Sequence, residues 1–116
     1  MSQAEMGKLE ECTTLDIWRS KLQDAKINGT LVVAIFTTSW CRYNQKIDQT
    51  FGEIIPNFKN KKVTFLKVDD SKLQLVSQEC GVNNIPTFVF LKDGKVVARL
   101  VKGKKEDFEA TIKKHL

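Results

Sequence analysis

The sequence predicts an α/β fold in which a central mixed β-sheet is flanked by helices on both faces. Three observations carry this expectation. LVVAIF (31–36) and VTFLKV (63–68) are apolar, β-branched runs, the pattern of strands buried on both faces. Between them Ile47, Phe51, Ile54, Ile55 and Phe58 mark one face of a long helix, so the unit strand–helix–strand implies parallel pairing with a right-handed crossover. PTFVFL (86–91) and KVVARLV (95–101) then flank Asp93-Gly94, a strong signal for an antiparallel hairpin.

The remaining elements follow in order. KLEEC (8–12) reads as a short edge strand. Leu15, Trp18, Leu22 and Ala25 recur at helical spacing, and Asn28-Gly29 ends that helix. The strand at 31–36 is the central one. Pro56 lacks an N–H and should kink the next helix or cut its last turn. Leu73, Val76 and Cys80 mark a third helix, closed by Gly81. Phe108, Ile112 and Leu116 line a last helix after the hairpin.

Bulk properties narrow the function classes. Residues 1–116 are expected to form one domain with a single hydrophobic core. No apolar run approaches the roughly 20 residues that span a bilayer, so no membrane partner is expected. The polar opening, MSQAEMGKLEE, does not read as a signal peptide, and a cytoplasmic setting is the default. Three cysteines, at 12, 41 and 80, are odd in number and widely spaced, which is no disulfide framework and fits reduced thiols. The net charge of +5 comes partly from KNKK (59–62) and KGKK (102–105). These clusters are short and lack interleaved aromatics, so they read as solvated turns and no nucleic-acid partner is expected.

In sheets of this kind chemistry collects at the carboxyl ends of the strands. Cys41, within SWCRYNQK (39–46), follows the end of the central strand and precedes a helix. A helix N-terminus offers unpaired N–H groups and a positive dipole end, both of which favour thiolate over thiol. Arg42 adds an adjacent cation. Asn44 lies one helical turn from Cys41 and either donates an amide N–H to its sulfur or is an exposed residue with no role. Cys80, on an apolar helix face, reads as core, and Cys12 as an exposed, incidental thiol. His115 reads as a surface residue of the last turn, so a Cys–His dyad is not expected. No Cys/His spacing supports zinc, and no metal or resident cofactor is expected. The Ile85-Pro86 bond can be cis or trans from the dipeptide alone.

Several ordered blocks resemble those of thioredoxin, most closely the cytosolic h type of plants. They are LVVAIFTTSWC (31–41), FLKVDD (65–70), VNNIPTFVFLKDGK (82–95) and the region of Gly103. The resemblance covers nearly all of the chain from about residue 8 to 116. It implies the thioredoxin fold, Cys41 as nucleophile and a cis bond before Pro86. It also implies that Trp40, Ile85, Pro86 and Gly103 frame a shallow apolar groove for substrate chain.

The departures from the family pattern bear directly on function. The family motif is W-C-G-P-C, and here it reads W-C-R-Y-N. Asn44 replaces the resolving cysteine and Tyr43 the motif proline. The buried family acid falls at Ile35, and the family proline later in the helix falls at Gln49. The acid helps deprotonate the resolving thiol. Without that thiol, a carboxylate in an apolar strand only carries a desolvation cost, so Ile35 and Asn44 read as one coupled loss. Lys67 matches the lysine that accompanies the acid and is expected to extend along its stem toward solvent.

The expected function is that of a monothiol thioredoxin-like protein that forms mixed disulfides through Cys41. Its expected partners are disulfide-containing or glutathionylated proteins, in exchange, isomerisation or deglutathionylation rather than efficient dithiol reduction. Release then requires glutathione as an external thiol, another such thiol, or a second substrate cysteine. The alternative is a redox-inactive binding module that keeps the groove. A glutaredoxin-like reading is disfavoured because the loop reads N-I-P rather than T-V-P. A monomer or weak dimer is expected.

Overall fold

Leu31–Thr37 is buried at every position, and the rest of the structure is arranged to cover it. The computed structural model describes residues 9–116. The order is β1 (Leu9–Cys12), α1 (Leu15–Asn28), β2 (Leu31–Thr37), α2 (Asn44–Ile54), β3 (Val63–Asp69), α3 (Gln74–Glu79), β4 (Thr87–Lys92), β5 (Lys95–Leu100) and α4 (Lys105–His115). The five strands form one sheet in the order β1-β3-β2-β4-β5. β2 runs parallel to β3 and antiparallel to β4, which makes the sheet mixed.

Alternation along β2 divides the core in two. Leu31, Val33 and Ile35 pack with Ile47, Phe51 and Ile54 of α2 and with Phe108 and Ile112 of α4. Val32, Ala34 and Phe36 pack on the other face with Trp18 and Ala25 of α1 and Val76 of α3. On the first face Phe51 meets Phe65 and Phe88, and Phe88 meets Phe108 with ring centroids 4.3 Å apart. Each such pair adds about 0.5–1.5 kcal/mol beyond its buried area.

Local chemistry fixes the boundaries. Thr14 caps α1 by accepting from the Ile17 N–H at 3.1 Å, and Gly29 ends it with φ of 66°. Pro56 cuts the last turn of α2, which continues as a 3-10 turn over Ile55–Phe58. Asp93 and Gly94 both take positive φ, 59° and 77°, as a two-residue hairpin turn requires. β4 begins at Thr87 rather than at the proline, and β5 ends at Leu100, leaving Val101 exposed.

Three expectations need correction or limits. Cys12 is fully buried, not exposed. It is the inward residue of β1 and packs in the core face that holds Trp18 and Cys80. Leu116 is 45% exposed, because α4 ends at His115 and only Phe108 and Ile112 reach the core. The opening polar stretch and Lys8 lie outside the described residues.

Burial pushes the Cys12 thiol from its ordinary 9.0 up to about 11, and Cys80 likewise to about 11. In the unfolded chain both thiols lose their protons near 9.0, whereas the folded chain holds them until about 11. Folding stability is therefore expected to fall as pH rises through that window. Urea unfolding of the native chain and of a Cys12→Ala/Cys80→Ala variant, repeated across alkaline pH, checks this. The variant should lose less stability than the parent between neutral and alkaline pH, and parallel losses would contradict the assignment.

Candidate functional site

Cys41 lies in the segment that joins the carboxyl end of β2 to α2. Its N–H donates to the Thr38 carbonyl at 3.2 Å, and its own carbonyl accepts from the Asn44 N–H at 3.2 Å. Two successive tight turns thus carry the chain from strand to helix. Cys41 is half-buried, while Cys12 and Cys80 are buried. It is the accessible thiol among the described residues.

Asn44 begins α2 and closes this segment on itself. Its side-chain carbonyl accepts from the Thr37 hydroxyl at 2.8 Å, and its amide donates to the Thr38 carbonyl at 2.7 Å. The last residue of β2 and the first residue of α2 are therefore joined directly, with Cys41 held between them. Neither alternative read from the sequence is found: the Asn44 amide makes no bond to the Cys41 sulfur, and the side chain is half-buried and hydrogen-bonded rather than exposed. The Asn44 side chain is tied instead to the two residues that end β2 and begin the turn.

The N-terminus of α2 is otherwise uncapped. Tyr43 at the cap position makes no side-chain bond to the helix, and the first turn carries no acidic residue. A capping side chain typically contributes about 1 kcal/mol, which this helix forgoes. The positive end of its dipole is left unopposed beside the thiol-bearing turn. Arg42 lies over the Tyr43 ring, 5.6 Å from its centroid, a cation–π contact that keeps the guanidinium at the surface near Cys41.

Next to this turn is a groove of about 500 Å³. Ile85, Pro86 and Gly103 line it, and the Ile85–Pro86 bond is cis. Trp40 does not line it and stands 73% exposed. Tyr43 forms a wall instead. Tyr43 follows Cys41 by two positions, with Arg42 alone between them, at most about 7 Å of extended backbone. The groove floor includes Phe88 and Phe108, so the aromatic chain of the core reaches the surface here.

The thioredoxin family model matches residues 10–114. The chain belongs to the thioredoxin family. It is 43% identical to thioredoxin H4 of Arabidopsis thaliana over 97% of this chain and 93% of that one. Identity to thioredoxin H1 of Arabidopsis thaliana is 39% over 97% of each. Among solved structures, thioredoxin h of Nicotiana alata superposes with a TM-score of 0.80 at 32% identity, covering 92% of this chain and 91% of that one. A poplar thioredoxin h superposes equally well, with a TM-score of 0.80 at 30% identity, covering 91% and 94%. The sheet and helix order described above is the thioredoxin fold.

Within this thioredoxin the sequence reading missed Tyr43, Lys46, Ile47 and Thr50 as one wall of the groove. Their spacing of three and four residues places them on one stripe of α2, a signal that was present. Val101 and Lys102 form another part and adjoin Gly103 in the chain. Lys67 reaches Asp48 of α2 at 3.1 Å, so its ammonium leaves the strand as expected but ends on a carboxylate. His115 is half-buried rather than at the surface, with its ring Nδ1 3.0 Å from the Thr111 carbonyl oxygen.

Asn44→Ala removes both side-chain bonds and strips the acceptor from a Thr37 hydroxyl that is 2% exposed. The expected loss is about 2 kcal/mol. Because Thr37 and Asn44 share one bond, Thr37→Val with Asn44→Ala should cost less than the two single losses added together. Urea titration of the four proteins checks this, and strict additivity would show that the pair is not coupled.

Proposed function

We propose that this thioredoxin works through one thiol. Cys41, as thiolate, attacks one sulfur of a substrate disulfide. A Cys41–substrate disulfide forms, the original bond breaks, and the other sulfur leaves as a thiolate. The observation that carries this reading is the half-exposed Cys41 at the carboxyl end of β2, beside an uncapped helix N-terminus. Asn44 occupies the place of a resolving thiol, and its side chain is engaged by Thr37 and Thr38. The mixed disulfide therefore persists until a thiol arrives from outside.

Two sources of that thiol are consistent with the surface position of Cys41. Glutathione or another small thiol gives exchange and deglutathionylation, and a second cysteine of the substrate gives isomerisation. The substrates are disulfide-containing or glutathionylated proteins. The protein carries no cofactor of its own and acts as a cytoplasmic monomer or weak dimer. One observation favours the rival reading, a redox-inactive binding module: Cys41 and Trp40 do not line the groove.

The two readings differ after treatment with glutathione disulfide. Mass spectrometry is expected to find one glutathione on Cys41, removed by added thiol, and no disulfide within the chain. Reduction of insulin with thioredoxin reductase and NADPH should be very weak. Modification confined to Cys12 or Cys80 would remove Cys41 as the nucleophile. Insulin turnover comparable to that of a dithiol thioredoxin would end the single-thiol reading.

A further inference from the structure

The groove carries a charge pattern as well as an apolar floor. Ile47, Pro86, Phe88 and Phe108 supply apolar surface. Lys46, from the first turn of α2, and Lys102, from the segment after β5, also line it, and no acidic side chain does. Both lysines are exposed. The ion pairs among the described residues join Lys21 to Glu10 and Lys67 to Asp48, so neither groove lysine is neutralised by one. The carboxylate that packs against Gly103, Asp107, accepts from the Lys104 N–H at 2.7 Å and so caps the start of its own helix.

We propose that this groove selects substrate segments that carry a bulky apolar side chain and acidic residues beside their reactive cysteine. The proposal rests on the exchange reading above and names the substrate class of the same site. A space of about 500 Å³ lies within the range of side-chain and small-ligand pockets. Seating an aromatic or aliphatic side chain there removes its apolar surface from water. Flanking carboxylates then meet Lys46 and Lys102 against a low-dielectric wall, where screening is weaker than in bulk water. A basic segment meets the same two lysines as like charges. The net charge of +5 acts in the same direction at long range and favours encounter with acidic partners.

The test uses short peptides with Phe beside Cys, flanked by Glu, Gln or Lys, each activated as the thionitrobenzoate mixed disulfide. Cys41 attacks the peptide sulfur, the Cys41–peptide disulfide forms, and thionitrobenzoate leaves as a coloured thiolate. At low salt the Glu peptide should react about fivefold faster than the Gln peptide and the Lys peptide more slowly than both, with the spread collapsing at high salt. The native chain alone decides this ordering. Lys46→Glu/Lys102→Glu should reverse it. Lys59→Glu/Lys61→Glu, which makes the same change in net charge at the amino end of β3, should keep it. Binding of the same peptides with Ser in place of Cys, by calorimetry, separates the two readings. If no peptide forms a disulfide yet the Ser peptides bind in the order Glu, Gln, Lys, the exchange reading fails and the groove selection stands. Equal rates for the three peptides, or reversal by the Lys59/Lys61 variant as well, would overturn the selection and leave exchange intact.

Discussion

Everything at the candidate site depends on β2 being buried on both faces. A strand with helices packed above and below has little freedom to slide, because a shift of one residue would turn each core face outward. Its carboxyl end is therefore a fixed point. Thr37, the last residue, is held by its register with Asp69 and by the Asp70 N–H, which donates to its carbonyl at 2.8 Å. From that point the Thr37 hydroxyl reaches Asn44, and the first residue of α2 is tied to the end of the sheet. Cys41 lies between two anchored ends. The geometry of the thiol is thus set by packing some distance away and passed on by two hydrogen bonds.

The same strand fixes what surrounds Ile35. Ile35 lies opposite Lys67 in the parallel register and is fully buried among apolar side chains of α2 and α4. A carboxylate there would need either Lys67 or water. Lys67 points to Asp48 instead, a partly exposed pair of the kind worth about 0–1 kcal/mol. Ile35 adds hydrophobic burial where an acid would have brought desolvation. Asn44 in turn supplies a hydrogen-bonding side chain that holds the turn. Position 35 thus contributes packing, and position 44 a polar tie.

The strands, the parallel β2–β3 unit and the β4–β5 hairpin were legible because their signals are local. LVVAIF is apolar throughout, which only a doubly covered strand tolerates, and Asp93-Gly94 reports its own turn. Cys41 was legible from its place between strand and helix, and Gly29 from the end of a periodic run. What stayed hidden required knowing which segments meet. Cys12 is buried because β1 lies against β3 and its inward side chain shares a core face with Trp18, and four residues of edge strand do not reveal that. Asn44 finds its partners six and seven residues upstream, across a turn whose path no spacing rule fixes. Groove walls from α2, from the segment before β4 and from the segment after β5 converge only in the folded chain. Trp40 lies beside Cys41 in sequence yet outside that concavity.

The central claim is that exchange stops at a mixed disulfide because position 44 holds the turn and offers no thiol. The most direct measurement is the rate at which a fluorescent peptide leaves its disulfide with Cys41 as glutathione is varied. The peptide should carry no second cysteine. The rate is expected to rise in proportion to glutathione and to extrapolate to zero in its absence. Release that continues at zero glutathione, with an intramolecular disulfide as its product, would contradict the account.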